Sequence, residues 1–235
     1  SRRGAIKRGE PLMTQFRAMR AFPPDRFQDK LRKDIIMGKS RKAAGIVEAE
    51  LAEAFDASRG SVRSALQALE GEGMIKMLAN GRKEVVGFTK KEAHDMYELR
   101  WLIENRAVEI AHEQKTMHFS PLLTALKRIE ECAQSPDQEI DWYDLDIEFH
   151  RSLVKVADNA PLLKAWEISI PTMYALLELN TSIDYKERYI AEFSAKHREL
   201  AELIIGGNDA IYALIKEHIM DAYEISVHVM EHFDS

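Results

Sequence analysis

The sequence predicts a mainly α-helical protein in two parts, a small unit of three helices and a β-hairpin followed by an all-α antiparallel helical bundle. Three observations predict this. Up to Lys90 there are 19 Lys and Arg against 11 Asp and Glu, a net of +8, whereas beyond it 14 stand against 28, a net of −14. The spacing of apolar residues changes at the same place, from short stripes broken by turn residues to long runs of helical period. The strand-like stretches Ile75–Leu78 and Lys83–Val86 flank Asn80-Gly81, a dipeptide suited to the positive φ of a hairpin turn.

At 235 residues, 46% of them apolar, the chain can fill two modest cores. No apolar stretch approaches the roughly 18 to 20 residues of a membrane span, and nothing resembles a secretory leader, so a soluble cytoplasmic protein is expected. The single cysteine, Cys132, lacks a partner for an internal disulfide and is expected to be structural.

Residues 1–24 carry Arg2, Arg3, Lys7, Arg8, Arg17 and Arg20, lack a long apolar face and end in Pro23-Pro24, which predicts a basic flexible arm. Phe27, Leu31, Ile35 and Ile36 then recur at helical spacing up to Gly38, and the basic loop Lys39–Lys42 follows. Val47, Leu51, Ala52 and Phe55 mark a second helix, broken at Asp56-Ala57. Ser58 is placed to cap a third, striped by Val62, Ala65, Leu66 and Leu69. With the hairpin, residues 25–87 read as a winged helix-turn-helix.

The second part, residues 88–235, begins with the capping-box pattern Thr89-Lys90-Lys91-Glu92 and the stripe Met96, Leu99, Leu102, Ile103, Val108. Ser120-Pro121 opens a further helix that Ser135-Pro136 closes. Amphipathic segments follow near Ile140–Ala157, Leu162–Leu179, Tyr185–Ile205 and Asp209–Phe233, with no strand among them. Six helices with short connections such as Gly206-Gly207 suit a compact bundle.

A basic first third suits phosphate contact through counterion release, and an acidic remainder is repelled by DNA. In a helix-turn-helix the second helix enters the major groove and its N-terminal residues meet base edges. Arg59 and Arg63 lie there, four residues apart on one face and oblique to the buried stripe. Ser58, Ser61 and Ser64 are small enough to admit the DNA backbone. The wing tip Asn80, Gly81, Arg82 and Lys83 can reach an adjacent groove.

These residues carry a family resemblance. Glu50-Leu51-Ala52, the run Ala57-Ser58-Arg59-Gly60-Ser61-Val62-Arg63-Ser64-Ala65-Leu66, Leu69, Glu72-Gly73-Met74-Ile75 and Gly81 resemble the signature of GntR-type regulators. The resemblance implies that Arg59 and Arg63 are the recognition-helix arginines and that Gly81 lies at the wing tip. The chain departs from the pattern at Ala49, where the family usually has arginine, and in the proline-free stretch Gly38–Gly45.

In the acidic part, Asp146 and His150 are four apart on one helix, and His197 and His218 head inward stripes on two later helices. One carboxylate and three imidazoles form a borderline donor set suited to Zn²⁺, Ni²⁺, Mn²⁺ or Fe²⁺. The stretches Asp146-Ile147-Glu148-Phe149-His150, Asp158-Asn159-Ala160-Pro161-Leu162, Lys196-His197-Arg198-Glu199-Leu200 and Glu217-His218-Ile219 are similar to the FCD ligand-binding domain of the FadR branch. The resemblance implies a divalent metal at Asp146, His150, His197 and His218, although the interval to His218 is slightly short. His228 or His232 would replace it only if the last helix were shifted. The resemblance also implies a small carboxylate as effector, with Arg100, four residues before Glu104, as its arginine. Trp166, Met173 and Tyr174 are candidates for core or pocket lining.

The expected function is that of a homodimeric DNA-binding repressor, bound to a palindromic operator and relieved by an organic acid. Two alternatives stand beside it: a metal-dependent enzyme using the Asp/His cluster with Glu148 as general base, and an unregulated DNA-binding protein.

Overall fold

The computed structural model describes residues 26–38, 45–115, 118–134, 142–180 and 186–233. The basic arm of residues 1–24, the loop Lys39–Lys42 and Ser135-Pro136 lie outside them. The N-terminal unit consists of α1 (Arg26–Ile36), β1 (Gly45–Ile46), α2 (Glu48–Ala54), α3 (Arg59–Gly71), β2 (Ile75–Met77) and β3 (Lys83–Val85). Val62, Ala65, Leu66 and Leu69 of α3 are buried against Phe27, Leu31, Ile35 and Ile36 of α1, as their spacing requires. Ser58 caps α3, its Oγ accepting from the Ser61 amide at 3.1 Å.

β1 was not expected. It pairs antiparallel with β3, with Gly45 opposite Glu84, and completes a sheet of order β1-β3-β2. Two residues are too few to show the alternation by which a strand is read.

The second part comprises α4 (Lys90–Glu113), α5 (Ser120–Ala133), α6 (Trp142–Lys155), α7 (Ala160–Asn180), α8 (Lys186–Ile205) and α9 (Ile211–Phe233). The expected capping box opens α4: the Glu92 amide donates to Thr89 Oγ1 at 3.2 Å and the Thr89 amide to Glu92 Oε2 at 2.6 Å. No strand occurs here among the described residues, and no helix among them is long and apolar enough to cross a membrane. Cys132 is buried in α5.

The buried face of α4 differs from the expected stripe. Leu99 and Leu102 are 43% and 52% exposed, whereas Tyr97, Arg100, Ile103, Glu104, Ala107 and Val108 face inward. Apolar periodicity assigns charges to solvent, but Arg100 and Glu104 satisfy each other inside the bundle, so the inward arc includes them.

The two parts meet where α1 packs on α7, and Lys33 Nζ lies 2.5 Å from Glu178 Oε1. On its other side α1 is tied to the C-terminus of α3, where the buried Arg32 donates through Nε and Nη2 to the two oxygens of Glu72, both at 2.7 Å. One short helix thus touches both α3 and the bundle.

Candidate functional site

The structure leaves Arg59 and Arg63 exposed on α3. Arg63 lies 3.5 Å from Glu48 on α2 and remains 65% exposed, so this contact does not withdraw it from solvent. Ser58 and Ser61 bond to each other at 2.9 Å within the cap. At the wing tip, Gly81 has φ 78°, a conformation natural to glycine, and Asn80 Oδ1 accepts from the Arg82 amide at 3.0 Å. Arg82 is exposed. Lys83 is turned inward, its Nζ 2.8 Å from Glu70 on α3, which fastens the wing to that helix.

Inside the bundle, one donor atom from each of Asp146, His150, His197 and His218 lies within 4.8 Å of all the others. Asp146 and His150 come from α6, His197 from α8 and His218 from α9, so the site exists only when these helices pack together. His228 is exposed and takes no part among these four, and the His232 side chain lies outside the described residues.

The hydrogen bonds behind the cluster fix what it presents. His150 Nδ1 lies 2.6 Å from Glu104 Oε2, and His197 Nδ1 lies 2.7 Å from the Phe193 carbonyl oxygen. Both partners are acceptors, so both Nδ1 atoms carry the proton and both Nε2 atoms present lone pairs. Those lone pairs converge on Asp146 Oδ1, at 3.6 Å from His150 Nε2 and 3.2 Å from His197 Nε2. His218 Nε2 stands 3.1 Å from His150 Nε2. Converging acceptors with their protons held outward could hold a divalent cation, and Glu104 orients His150 from behind.

Glu104, fully buried, also accepts from Arg100 Nε at 2.8 Å and from Trp166 Nε1 of α7 at 3.0 Å. Arg100 Nη2 donates to Asp146 Oδ2 at 3.1 Å. Sequence reasoning missed this role of Glu104, and the only signal was its position four residues after Arg100. Trp166 and Met173 are buried core rather than pocket wall, and Glu148 pairs with Arg128 instead of joining the cluster.

Burial opposes ionisation of Asp146, but the Arg100 guanidinium beside its Oδ2 outweighs it and holds the carboxyl well below its ordinary range. Burial likewise opposes the charge on Glu104, and His150 and Arg100 lower it overall. Burial, reinforced by Arg100, lowers His150. Burial lowers His218 further. All four groups therefore keep in the folded state the form they take at higher pH. The metal-free protein should lose stability as pH falls below 6.5, where unfolded imidazoles begin to bind protons, and lose more below about 4.5 as the unfolded carboxylates protonate. Thermal melts after chelation, compared between neutral and mildly acidic buffer, check this.

A cavity of about 310 Å³ opens onto Arg100, Asp146, His197 and His218, walled by Phe193, Ala222 and Ile225, with Glu192, Lys196, Asp221 and Glu224 also lining it. It is large enough for a small metabolite.

Residues 25–83 match the gntR family of bacterial regulatory proteins, and residues 95–221, more than half of the chain, match the FCD domain. The HTH-type transcriptional regulator YdhC of Bacillus subtilis, itself uncharacterized, is 25% identical over 88% of this chain and 86% of its own. The gluconate operon transcriptional repressor of the same organism is 27% identical over 68% of this chain and 65% of its own. A solved GntR regulator from Rhodococcus sp. RHA1 shares the fold with a TM-score of 0.58 at 23% identity, covering 86% of this chain and 96% of its own. With a winged helix-turn-helix and an FCD bundle in one chain, this protein belongs to the gntR family of bacterial regulatory proteins and is a DNA-binding transcriptional regulator.

Proposed function

We propose that the chain is a ligand-controlled repressor whose homodimer holds a palindromic operator through two winged heads and releases it when a small carboxylate enters the bundle. The observation that carries this reading is the cavity leading to Asp146, His197, His218 and the buried Arg100. The Bacillus subtilis relative named for repression of the gluconate operon supports the direction of control.

In this reading, Arg59 and Arg63 read bases, while Ser58, Ser61, Asn80, Gly81 and Arg82 lie against the phosphate backbone. Lys83 holds the wing in place through Glu70. Residues 25–87 form the head and residues 88–235 the sensing and dimerising part. Asp146, His150, His197 and His218 hold one divalent metal of the Zn²⁺, Ni²⁺, Mn²⁺ or Fe²⁺ class, which supplies a Lewis acid for the effector's carboxylate. Arg100 adds a charge-assisted contact beside it.

Helix α7 offers the route to DNA. Trp166 ties its first half to Glu104 behind the metal ligands, and Glu178 in its last turn meets Lys33 on α1. Between them Pro171 removes one backbone donor from the helix. A Glu178→Gln variant should keep both operator and ligand affinity yet reduce the ligand's effect on operator binding by roughly 0.5 to 2 kcal/mol.

The test is operator affinity measured with and without a panel of small acids, on protein whose metal content is known. About one metal per chain is expected, lost when His150 and His197 are both replaced by alanine. One acid should weaken operator binding by roughly 5- to 150-fold. Operator affinity and melting temperature unmoved by every acid would overturn ligand control.

A further inference from the structure

Resting on the reading of α3 as the recognition helix, we infer that Glu48 of α2 is a specificity residue, its carboxylate and the Arg63 guanidinium together reading one G·C base pair. Glu48 is the first residue of α2, and its Oε2 lies 3.5 Å from Arg63 Nη2 on α3. Neither side chain is withdrawn from solvent: Arg63 is 65% and Glu48 37% exposed, so both stay open to a duplex laid along this face. Val47 and Ala49, on either side of Glu48, bring no polar side chain. Among the described residues Arg59, one turn before Arg63, has no ion-pair partner, so the two arginines differ in what stands beside them.

A surface that only grips phosphate gains nothing from a carboxylate, because the DNA backbone repels it. Most base-edge atoms in the major groove suit it no better: guanine N7 and O6, adenine N7 and thymine O4 are all acceptors. A carboxylate there needs an amino group, and a G·C pair places one beside the atoms that arginine prefers. Its edge runs acceptor, acceptor, donor, from guanine N7 and O6 to cytosine N4. The Arg63 fork supplies two donors and Glu48 the acceptor, in that order, and a third guanidinium N–H remains for the carboxylate itself. Guanine O6 and cytosine N4 are hydrogen-bonded to each other, hence about 2.9 Å apart. That spacing is comparable with the 3.5 Å between Arg63 Nη2 and Glu48 Oε2. An A·T pair runs acceptor, donor, acceptor, which sets one Arg63 donor against an amino group and Glu48 against thymine O4.

The test begins with duplexes selected from a random pool by the full natural chain. The selected half-site is remade with each base pair replaced in turn, and affinities are measured for the natural chain, Glu48→Ala and Arg63→Ala, beside an unrelated duplex. Arg63→Ala should lose the preference for one G·C pair. Glu48→Ala should weaken discrimination at that same pair on the order of tenfold, with no loss of affinity for the unrelated duplex and an unchanged melting temperature. A residue that only steadied the head would lower affinity for every duplex alike. That result, full base preference retained by Glu48→Ala, or a loss at a pair other than the one Arg63 reads overturns the inference while Arg63 stands as a base reader. If Arg63→Ala changes the preference at no position, or the natural chain selects no sequence, the reading of α3 falls and the inference falls with it.

Discussion

Replacing Glu104 by alanine is expected to destabilise the bundle by about 3 to 5 kcal/mol and to abolish metal retention, although Glu104 is not among the proposed metal ligands. The size follows from what the carboxylate does. Its two oxygens accept from Arg100, His150 and Trp166, and it is fully buried. Removing it leaves the Arg100 guanidinium in the interior with only Asp146 beside it, and truncating one partner of a buried ion pair costs about that much. It also deprives His150 Nδ1 of the acceptor that keeps Nε2 free for a cation. Glu104→Gln separates the two effects. The amide retains volume and one acceptor, so folding should suffer less, while metal affinity should still fall by roughly 10- to 100-fold. Denaturant titration of the metal-free variants and elemental analysis of the loaded ones check the two parts.

Replacing Arg59 and Arg63 together by alanine is expected to remove about 2 to 6 kcal/mol of sequence-specific DNA affinity, taking about 1 to 3 kcal/mol for each arginine on a base edge. Both side chains are exposed on α3 and their removal opens no cavity, so the variant should melt where the natural protein does. Binding to unrelated DNA should fall less, because other basic groups still contact phosphate. Affinity for specific and scrambled duplexes at two salt concentrations distinguishes base reading from charge. Equal losses on both duplexes would make the arginines phosphate contacts only.

The head was legible because its local signals agree: the stripe on α3, the Ser58 cap and the Asn80-Gly81 turn all act within a few residues. The bundle's helices were legible for the same reason. Its interior was only partly so. Asp146 and His150 share a face by spacing, but only tertiary packing brings His197 and His218 to them from α8 and α9. The charged pair Arg100 and Glu104 reads as a surface pair in any pattern of apolar residues, and only the packing of α4, α6 and α7 around it shows why it is inside. The cavity-lining residues Lys196, Asp221 and Glu224 carry no local signal, since exposed charges are the ordinary covering of a helix.

Selection of duplexes from a random pool by the natural chain, set beside the Arg59→Ala, Arg63→Ala variant, tests most directly that this protein reads DNA with α3. The account predicts that the natural chain enriches a short palindrome with half-sites about one helical turn apart, more weakly at higher salt, and that the variant enriches none. The same palindrome enriched by both proteins, or no sequence enriched by the natural chain with metal and small acids absent or present, would contradict it.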